Sequence, residues 1–252
     1  MKQYFILSLS ILFLFTVLEE ASAISFHGTA VGSWKNVDYQ SPDHVAVSNH
    51  DDWASAMFRW GVPANNFANL FIFDGKAGPL EPDWLAETGT PFLIGDFSYR
   101  NERTIFSSTV YGVDLSLALH LSFPAGIVDD TFLFDFSFLI TQTPNTTGDP
   151  LLDADIVTIT TASSAATFNY LGTDYTLEVL GFSNDGGKTT ITNISNPEGS
   201  NERAGAYAQI SETAPVPEPA TIILLGVGLA GIAGARIKFK KKRLAELGVL
   251  GV

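Results

Sequence analysis

The sequence predicts an all-β protein, an antiparallel β-sandwich of jelly-roll-like type, enclosed between two hydrophobic terminal segments. Two stretches alternate apolar and polar residues with a period of two, which is the pattern of a half-buried strand. Other short β-prone stretches follow one another, separated by turn-forming Gly, Pro, Asn and Asp residues. Between the terminal segments no stretch shows sustained helical periodicity with start and stop signals, so a parallel βαβ fold is not expected.

The first 23 residues have the three parts of a secretory signal peptide. Lys2 supplies a positive charge, residues 4–18 form an apolar run, and Ala21 and Ala23 give the small-residue site that precedes cleavage. We therefore expect cleavage before Ile24 and export of the domain that follows. An uncleaved N-terminal anchor is the alternative, although the apolar run is short for a membrane span.

The alternation is clearest in residues 113–123 and 131–140. The intervening residues carry the Pro, Gly and Asp that turns favour, so the two segments are expected to pair as an antiparallel hairpin. The residues expected on the core face are Val113, Leu115, Leu117, Leu119, Leu121 and Phe123 in the first segment, and Phe132, Phe134, Phe136, Phe138 and Ile140 in the second.

Eight further segments are candidate strands, and with the hairpin they form one domain over residues 24–212. A chain segment of this length can bury a substantial core, and its many aromatic residues suit a sandwich. We see no internal repeat of fixed period. The further candidate strands are residues 26–34, 56–60, 70–73, 92–99, 155–160, 166–171, 175–182 and 189–194.

The predicted exported segment is strongly acidic. Residues 24–215 carry 7 Lys and Arg against 23 Asp and Glu, an excess of 16 negative charges. Nucleic acid is therefore not an expected partner, because phosphate binding needs clustered cationic residues and the sequence shows no such cluster in this segment. The chain has no cysteine, which excludes disulfides, thiolate nucleophiles and cysteine-ligated zinc.

The C-terminal end combines three segments. Residues 213–219 form a Pro-rich linker that cannot be helical, residues 220–235 are apolar and about 24 Å long as a helix, and residues 236–252 form a basic tail. By the positive-inside rule the tail stays in the cytoplasm and the apolar segment is a transmembrane helix. The basic residues that end the helix are Arg236, Lys238, Lys240, Lys241, Lys242 and Arg243.

This C-terminal end resembles the PEP-CTERM sorting signal of Gram-negative bacteria. The resemblance lies in the triplet Pro217, Glu218 and Pro219, followed by the apolar helix and the basic residues. This resemblance implies processing by a membrane-embedded protease of the exosortase type near the triplet. The precursor would cross the inner membrane transiently and then be released or re-anchored at the cell surface. Residues 244–252 extend beyond the usual end of such signals, and a permanent single-span anchor is the alternative.

The domain itself resembles the choice-of-anchor K domain of bacterial surface proteins. That family implies an exported module joined to interchangeable anchors, with no enzymatic chemistry to carry over. The segments that carry the resemblance are residues 24–34, 58–61, 90–95, 145–150, 154–157 and 175–182.

No motif of a hydrolase accompanies the histidines, so we do not expect an enzyme. A G-x-S-x-G elbow is absent, and His120 lies on the polar side of a predicted strand, where a solvated residue is expected. His44 and His50, with Asp51 and Asp52, could meet in one loop, but their spacing matches no transition-metal motif. A glycosidase would need two facing carboxylates. Among 23 acidic residues some pair meets this requirement by chance, so the requirement does not single out an active site.

Two ligand classes remain open as alternatives. Asp149, Asp153 and Asp155 are weak candidates for a calcium site, because calcium prefers oxygen ligands, although a solvated acidic turn is the preferred interpretation. The four tryptophans, Trp34, Trp53, Trp60 and Trp84, could form a sugar-stacking platform, although the core of a sandwich is their usual place.

The sequence therefore predicts a non-enzymatic, exported surface or extracellular-matrix protein that is sorted by an exosortase. The alternatives are a carbohydrate-binding or exopolysaccharide-associated module and a calcium-stabilised adhesin.

Overall fold

The computed structural model describes residues 24–49, 55–77, 83–105, 108–123, 130–161 and 165–213, together with Leu229. It contains thirteen strands and one short 3-10 helix, Pro42–His44. The strands are β1 Ser25–Tyr39, β2 Val45–Asn49, β3 Ser55–Trp60, β4 Asn69–Gly75, β5 Trp84–Glu87, β6 Pro91–Arg100, β7 Val110–Phe123, β8 Asp130–Thr141, β9 Asp155–Thr161, β10 Ala165–Tyr170, β11 Thr173–Ser183, β12 Asn193–Asn196 and β13 Asn201–Glu212.

The strands form two antiparallel sheets, as the sequence predicts for a β-sandwich. The six-stranded sheet has the order β12-β9-β8-β7-β1-β5, and the seven-stranded sheet has the order β10-β11-β13-β6-β4-β3-β2. Long strands such as β1 and β13 alternate buried residues with more exposed ones, because one face of each sheet packs on the shared core. The sandwich is confirmed, and the jelly-roll arrangement stays a prediction.

The predicted central hairpin is present with the predicted faces. Strands β7 and β8 pair antiparallel, with Val113 opposite Phe138 and Leu119 opposite Phe132. Leu115, Leu117 and Leu119 are completely buried, as their alternation requires. This hairpin forms the middle of the six-stranded sheet, where β1 and β9 extend it on either side.

The sequence did not predict three of the strands, β2, β5 and β13. Strand β13 lies in the middle of the seven-stranded sheet between β6 and β11. Its inward residues include Ala204, Ala206 and Ala208, which are buried but have low β-propensity. Because small residues leave little apolar contrast along the strand, the period-two signal was weak.

Aromatic rings fill the centre of the sandwich. Phe71, which is completely buried, has six aromatic neighbours among the described residues, and one of them, Trp60, has its ring centroid 4.6 Å away. Trp34 bridges the sheets from β1, and its indole Nε1 donates a hydrogen bond of 3.0 Å to the Ala56 carbonyl oxygen. This hydrogen bond satisfies the one polar atom of a ring that is 2 % exposed.

A glycine in β1 allows a second tryptophan to enter the core. Gly28 lies opposite Trp84 of β5, and a Cβ at Gly28 would sit 1.9 Å from the His120 carbonyl oxygen and 2.3 Å from Trp84 Cζ2. No side chain fits at such distances. The absence of a Cβ therefore brings the indole of Trp84 directly over the strand.

The chain divides into two compact units, Met1–Glu212 and Thr213–Val252. In the part of the chain that the structure describes, no helix is long and apolar enough to cross a membrane. The predicted signal peptide, with Ala21 and Ala23, lies outside the described residues. So does the predicted transmembrane helix over residues 220–235, except Leu229, which is helical.

Candidate functional site

The loop between β8 and β9 is organised around Asp153. Its Oδ1 accepts hydrogen bonds from Thr147 N at 3.1 Å and Thr147 Oγ1 at 2.8 Å, and its Oδ2 accepts one from Gly148 N at 2.9 Å. Desolvation acts to raise the pKa of Asp153, but these hydrogen bonds outweigh it and lower the pKa below its ordinary value. Asp153 is thus an ionised carboxylate that holds a turn.

Asp155, at the start of β9, lies deeper and is 2 % exposed. Its Oδ1 accepts hydrogen bonds from Thr143 N at 2.8 Å and Thr143 Oγ1 at 3.3 Å. Burial nevertheless raises the pKa of Asp155 to about 6, because removal from water disfavours the charged form. The carboxyl group of Asp155 can therefore take up a proton close to neutral pH.

The hydroxyl of Tyr99, on β6, faces Asp155 from the other sheet. Tyr99 is completely buried, and its hydroxyl makes no hydrogen bond of standard geometry within the described structure. Burial, followed by the negative charges of Asp155 and Glu198, raises the pKa of Tyr99 well above its usual value. The phenol therefore stays neutral between two carboxyl groups.

Glu198 reaches this cluster from the turn between β12 and β13. The pairing of β12 with β9 places Asn196 opposite Asp155, and Asn196 Nδ2 donates a hydrogen bond of 2.7 Å to the Tyr99 carbonyl oxygen. Asn101 Nδ2 in turn donates one of 2.7 Å to the Asn196 carbonyl oxygen. These two buried asparagines fix the turn, and with it the position of Glu198.

The carboxylate of Glu198 is poorly satisfied. Both of its oxygens are buried and lack a hydrogen-bond partner among the described residues. Burial raises the pKa of Glu198 to about 7, the charge of Asp155 adds to the shift, and Asn145 and Arg103 oppose it. Residues Tyr99, Asp155 and Glu198, which we call the carboxyl cluster, therefore favour the uptake of a proton.

A depression of about 320 Å³ opens beside the carboxyl cluster. Arg103, Asn145, Asp153 and Glu198 line it, so its walls carry both signs of charge. The sequence pointed to Asp153 and Asp155 but not to Tyr99 and Glu198. Tyr99 and Glu198 lie far from the two aspartates along the chain, and only the folding of the strands brings them together. No local motif marks them.

The three calcium candidates do not form a common site. Asp149 Oδ1 accepts a hydrogen bond from Leu151 N at 2.9 Å, while Asp153 and Asp155 bind separate parts of the loop. In the described ranges no group of three or more His, Cys, Asp or Glu side chains is arranged to hold a metal ion. The calcium hypothesis stays a prediction that this geometry does not support.

A second metal hypothesis concerns a transition-metal site in the loop after His44. Its other candidates, His50, Asp51 and Asp52, lie outside the described residues.

The tryptophans do not provide an exposed sugar-stacking platform. Trp34, Trp60 and Trp84 are at most 2 % exposed and belong to the core, while Trp53 lies outside the described residues. The interpretation of the first three as a binding platform is therefore wrong, since stacking needs an accessible ring face. The core interpretation holds for these three side chains.

His120 occupies the position that its strand pattern predicts. The residue is exposed on β7, and its Nδ1 shares a 2.8 Å hydrogen bond with Thr131 Oγ1 on the neighbouring strand β8. The hydrogen bond is a cross-strand contact at the surface.

The sorting residues, Pro217 to Pro219 and the basic residues from Arg236 to Arg243, lie outside the described residues. Comparison with known families nevertheless finds a match there: residues 215–238 match the PEP-CTERM protein-sorting motif. The comparison with curated proteins finds no match. The choice-of-anchor K resemblance of the domain has no support from these comparisons. The motif supports a protein that is sorted by an exosortase, and it indicates an exported, membrane-anchored precursor.

Proposed function

We propose that this chain is a non-enzymatic surface or extracellular-matrix protein, whose β-sandwich is a choice-of-anchor-K-like module and whose tail directs it to an exosortase. The observation that carries the proposal is the PEP-CTERM match over residues 215–238. An N-terminal signal peptide at residues 1–23 starts export, and the basic tail holds the precursor until processing.

The boundary between the domain and the tail suits proteolytic release. Strand β13 ends at Glu212, where it pairs with Tyr175 of β11, and the matched motif begins three residues later. Cleavage near Pro217 would leave all thirteen described strands intact. The sandwich, which has its own core, would therefore stay folded after it leaves the membrane.

The polar groups of the domain support a structural role. Asp153 and Asp185 direct their carboxylates to turns of their own loops, and Thr189 N donates a 2.9 Å hydrogen bond to Asp185 Oδ1. In the carboxyl cluster the phenol of Tyr99 stays protonated, and we propose that this buried group, like the turn-holding carboxylates, has a structural role.

A substitution in the motif tests the proposal in the full-length chain. We expect Glu218→Ala to leave the protein in the inner-membrane fraction, whereas the wild type becomes accessible to protease added to intact cells. Glu246→Ala, which changes a glutamate of the tail outside the matched residues, is the control and should behave like the wild type. Equal surface accessibility of Glu218→Ala and wild type would contradict the proposal.

A further inference from the structure

Three of the four arginines between residues 24 and 215 lie on one face of the sandwich. Arg59 on β3 and Arg100 on β6 each lie between buried neighbours, and the exposed Arg203 on β13 precedes the buried Ala204. Their side chains are therefore on the solvent side of the seven-stranded sheet. We call the surface around these three residues the arginine face.

The strand register brings the arginines close together. Leu70 of β4 pairs with both Arg59 and Arg100, so these two arginines are separated by one strand. Arg203 pairs with Ser98, two residues before Arg100, which makes Arg100 and Arg203 diagonal neighbours. Diagonal neighbours lie about 7–8 Å apart at their Cα atoms. One anionic chain can therefore reach all three arginines.

Two of the three arginines have no acidic partner in the described part of the domain. Arg59 and Arg203 form no ion pair with any described residue, whereas Arg100 forms a long ion pair with Glu102, with 3.8 Å between Nε and Oε1. This is unusual in a segment with 23 acids and 7 cations. An anionic ligand would therefore bind this face through the arginines, since the acidic excess of the domain as a whole disfavours anion binding elsewhere.

A depression of about 360 Å³ lies between Arg100 and Arg203 on one side and Asp74 and Asp96 on the other. Leu70 and Ile72, which are half-buried, provide its apolar floor. The arginines can bind carboxylates in bidentate fashion, and the two aspartates can accept hydrogen bonds from hydroxyl groups. The site thus combines acceptors for hydroxyls with donors for carboxylates.

An exposed aromatic ring borders the same surface. Phe67 is 53 % exposed, and the Arg100 guanidinium lies 5.2 Å from the centre of its ring. Arg100 Nη2 also donates a hydrogen bond of 3.4 Å to the Ala68 carbonyl oxygen, which orients the guanidinium group. An aromatic ring beside an oriented cation suits a ligand that has both C–H faces and negative charge.

We propose that the arginine face binds a carboxylate-bearing polysaccharide, with the carboxylates on Arg100 and Arg203 and sugar hydroxyls on Asp74 and Asp96. A polyuronate has all the groups that this surface complements. An acidic peptide fits less well, because it has negative charge without the hydroxyls that the aspartates would bind. Delivery to the cell surface does not require a polysaccharide-binding face, so this binding would be a second property of the domain.

The test measures binding of the full-length chain, in a non-ionic detergent, to three probes of equal length: oligogalacturonate, a neutral oligosaccharide and poly-glutamate. The test variant is Arg100→Gln/Arg203→Gln. The control is Lys35→Gln/Lys188→Gln, which removes the same charge; Lys35 lies on β1 of the other sheet, and Lys188 lies in the loop between β11 and β12. Tryptophan fluorescence checks that each variant is folded.

We expect oligogalacturonate to bind the wild type, more weakly as salt increases, and the test variant to lose about tenfold or more in affinity. The control should stay within about twofold of the wild type, since long-range charge contributes little once salt screens it. Three results would overturn the proposal: no binding of oligogalacturonate at low salt, equal loss in the control, or equal affinity for poly-glutamate or for the neutral probe.

Discussion

Replacement of Phe71 by alanine is expected to lower the free energy of unfolding by about 3–5 kcal/mol, the usual cost of truncating a buried phenylalanine. The ring is completely buried, and aromatic rings surround it on both sheets, including Trp60 at 4.6 Å and Phe138 at 5.5 Å between centroids. Its removal leaves a cavity that the rigid strands cannot close. Urea unfolding followed by tryptophan fluorescence measures the loss.

Leu133→Ala is the matched control for this prediction. Leu133 lies on β8 and is 69 % exposed, so its truncation removes little buried surface and should cost less than about 1 kcal/mol. A loss at Phe71 no larger than the loss at Leu133 would show that the aromatic cluster is not the centre of the core. Phe71→Leu, which keeps most of the volume, should fall between the two.

The second large effect is a loss of stability as the pH rises from 5 to 8. In the folded protein the pKa of Asp155 is raised to about 6 and that of Glu198 to about 7. The folded state therefore binds more protons than the unfolded state across this window, and its stability falls as the protons leave. Urea unfolding at several pH values should show a loss of about 2 kcal/mol, after allowance for solvent screening at Glu198.

Glu198→Gln distinguishes the carboxyl cluster from other titrating groups. The amide has no charge to bury, so this variant should lose less stability than the wild type between pH 6 and 8 and should be the more stable of the two at pH 8. Glu178→Gln, at an exposed position on β11, should follow the wild-type curve. Asp153 and Asp185 do not interfere, because their lowered pKa values confine their effect to more acidic solutions. Parallel curves for Glu198→Gln and wild type would contradict the assignment.

The sequence was most informative where the physical signal is local. The hairpin of β7 and β8 could be predicted because each strand has one face on the core and one in water, which produces strict alternation. The sorting motif could be predicted because Pro217, Glu218 and Pro219 are contiguous. Strand β13 could not be predicted, because alanine fills most of its inward positions and gives little apolar contrast along the strand.

Both polar clusters depend on contacts between distant parts of the chain. Asp155 and Glu198 come together because β12 pairs with β9 across about forty residues of sequence, and Tyr99 faces them from β6 of the other sheet. The arginine face likewise forms only when β3, β4, β6 and β13 are in register. No cationic cluster is visible in the sequence, since Arg59, Arg100 and Arg203 lie far apart along the chain.

The most direct test of the central claim is the intact mass of the protein from its native host, with and without an active exosortase. Sorting through the PEP-CTERM motif predicts a mature chain that begins near Ile24 and ends near Pro217 to Ala220 when the protease is active, and a chain that retains the tail when it is not. A mass that retains residues 220–252 in both strains would contradict processing and would make the chain a permanently anchored protein.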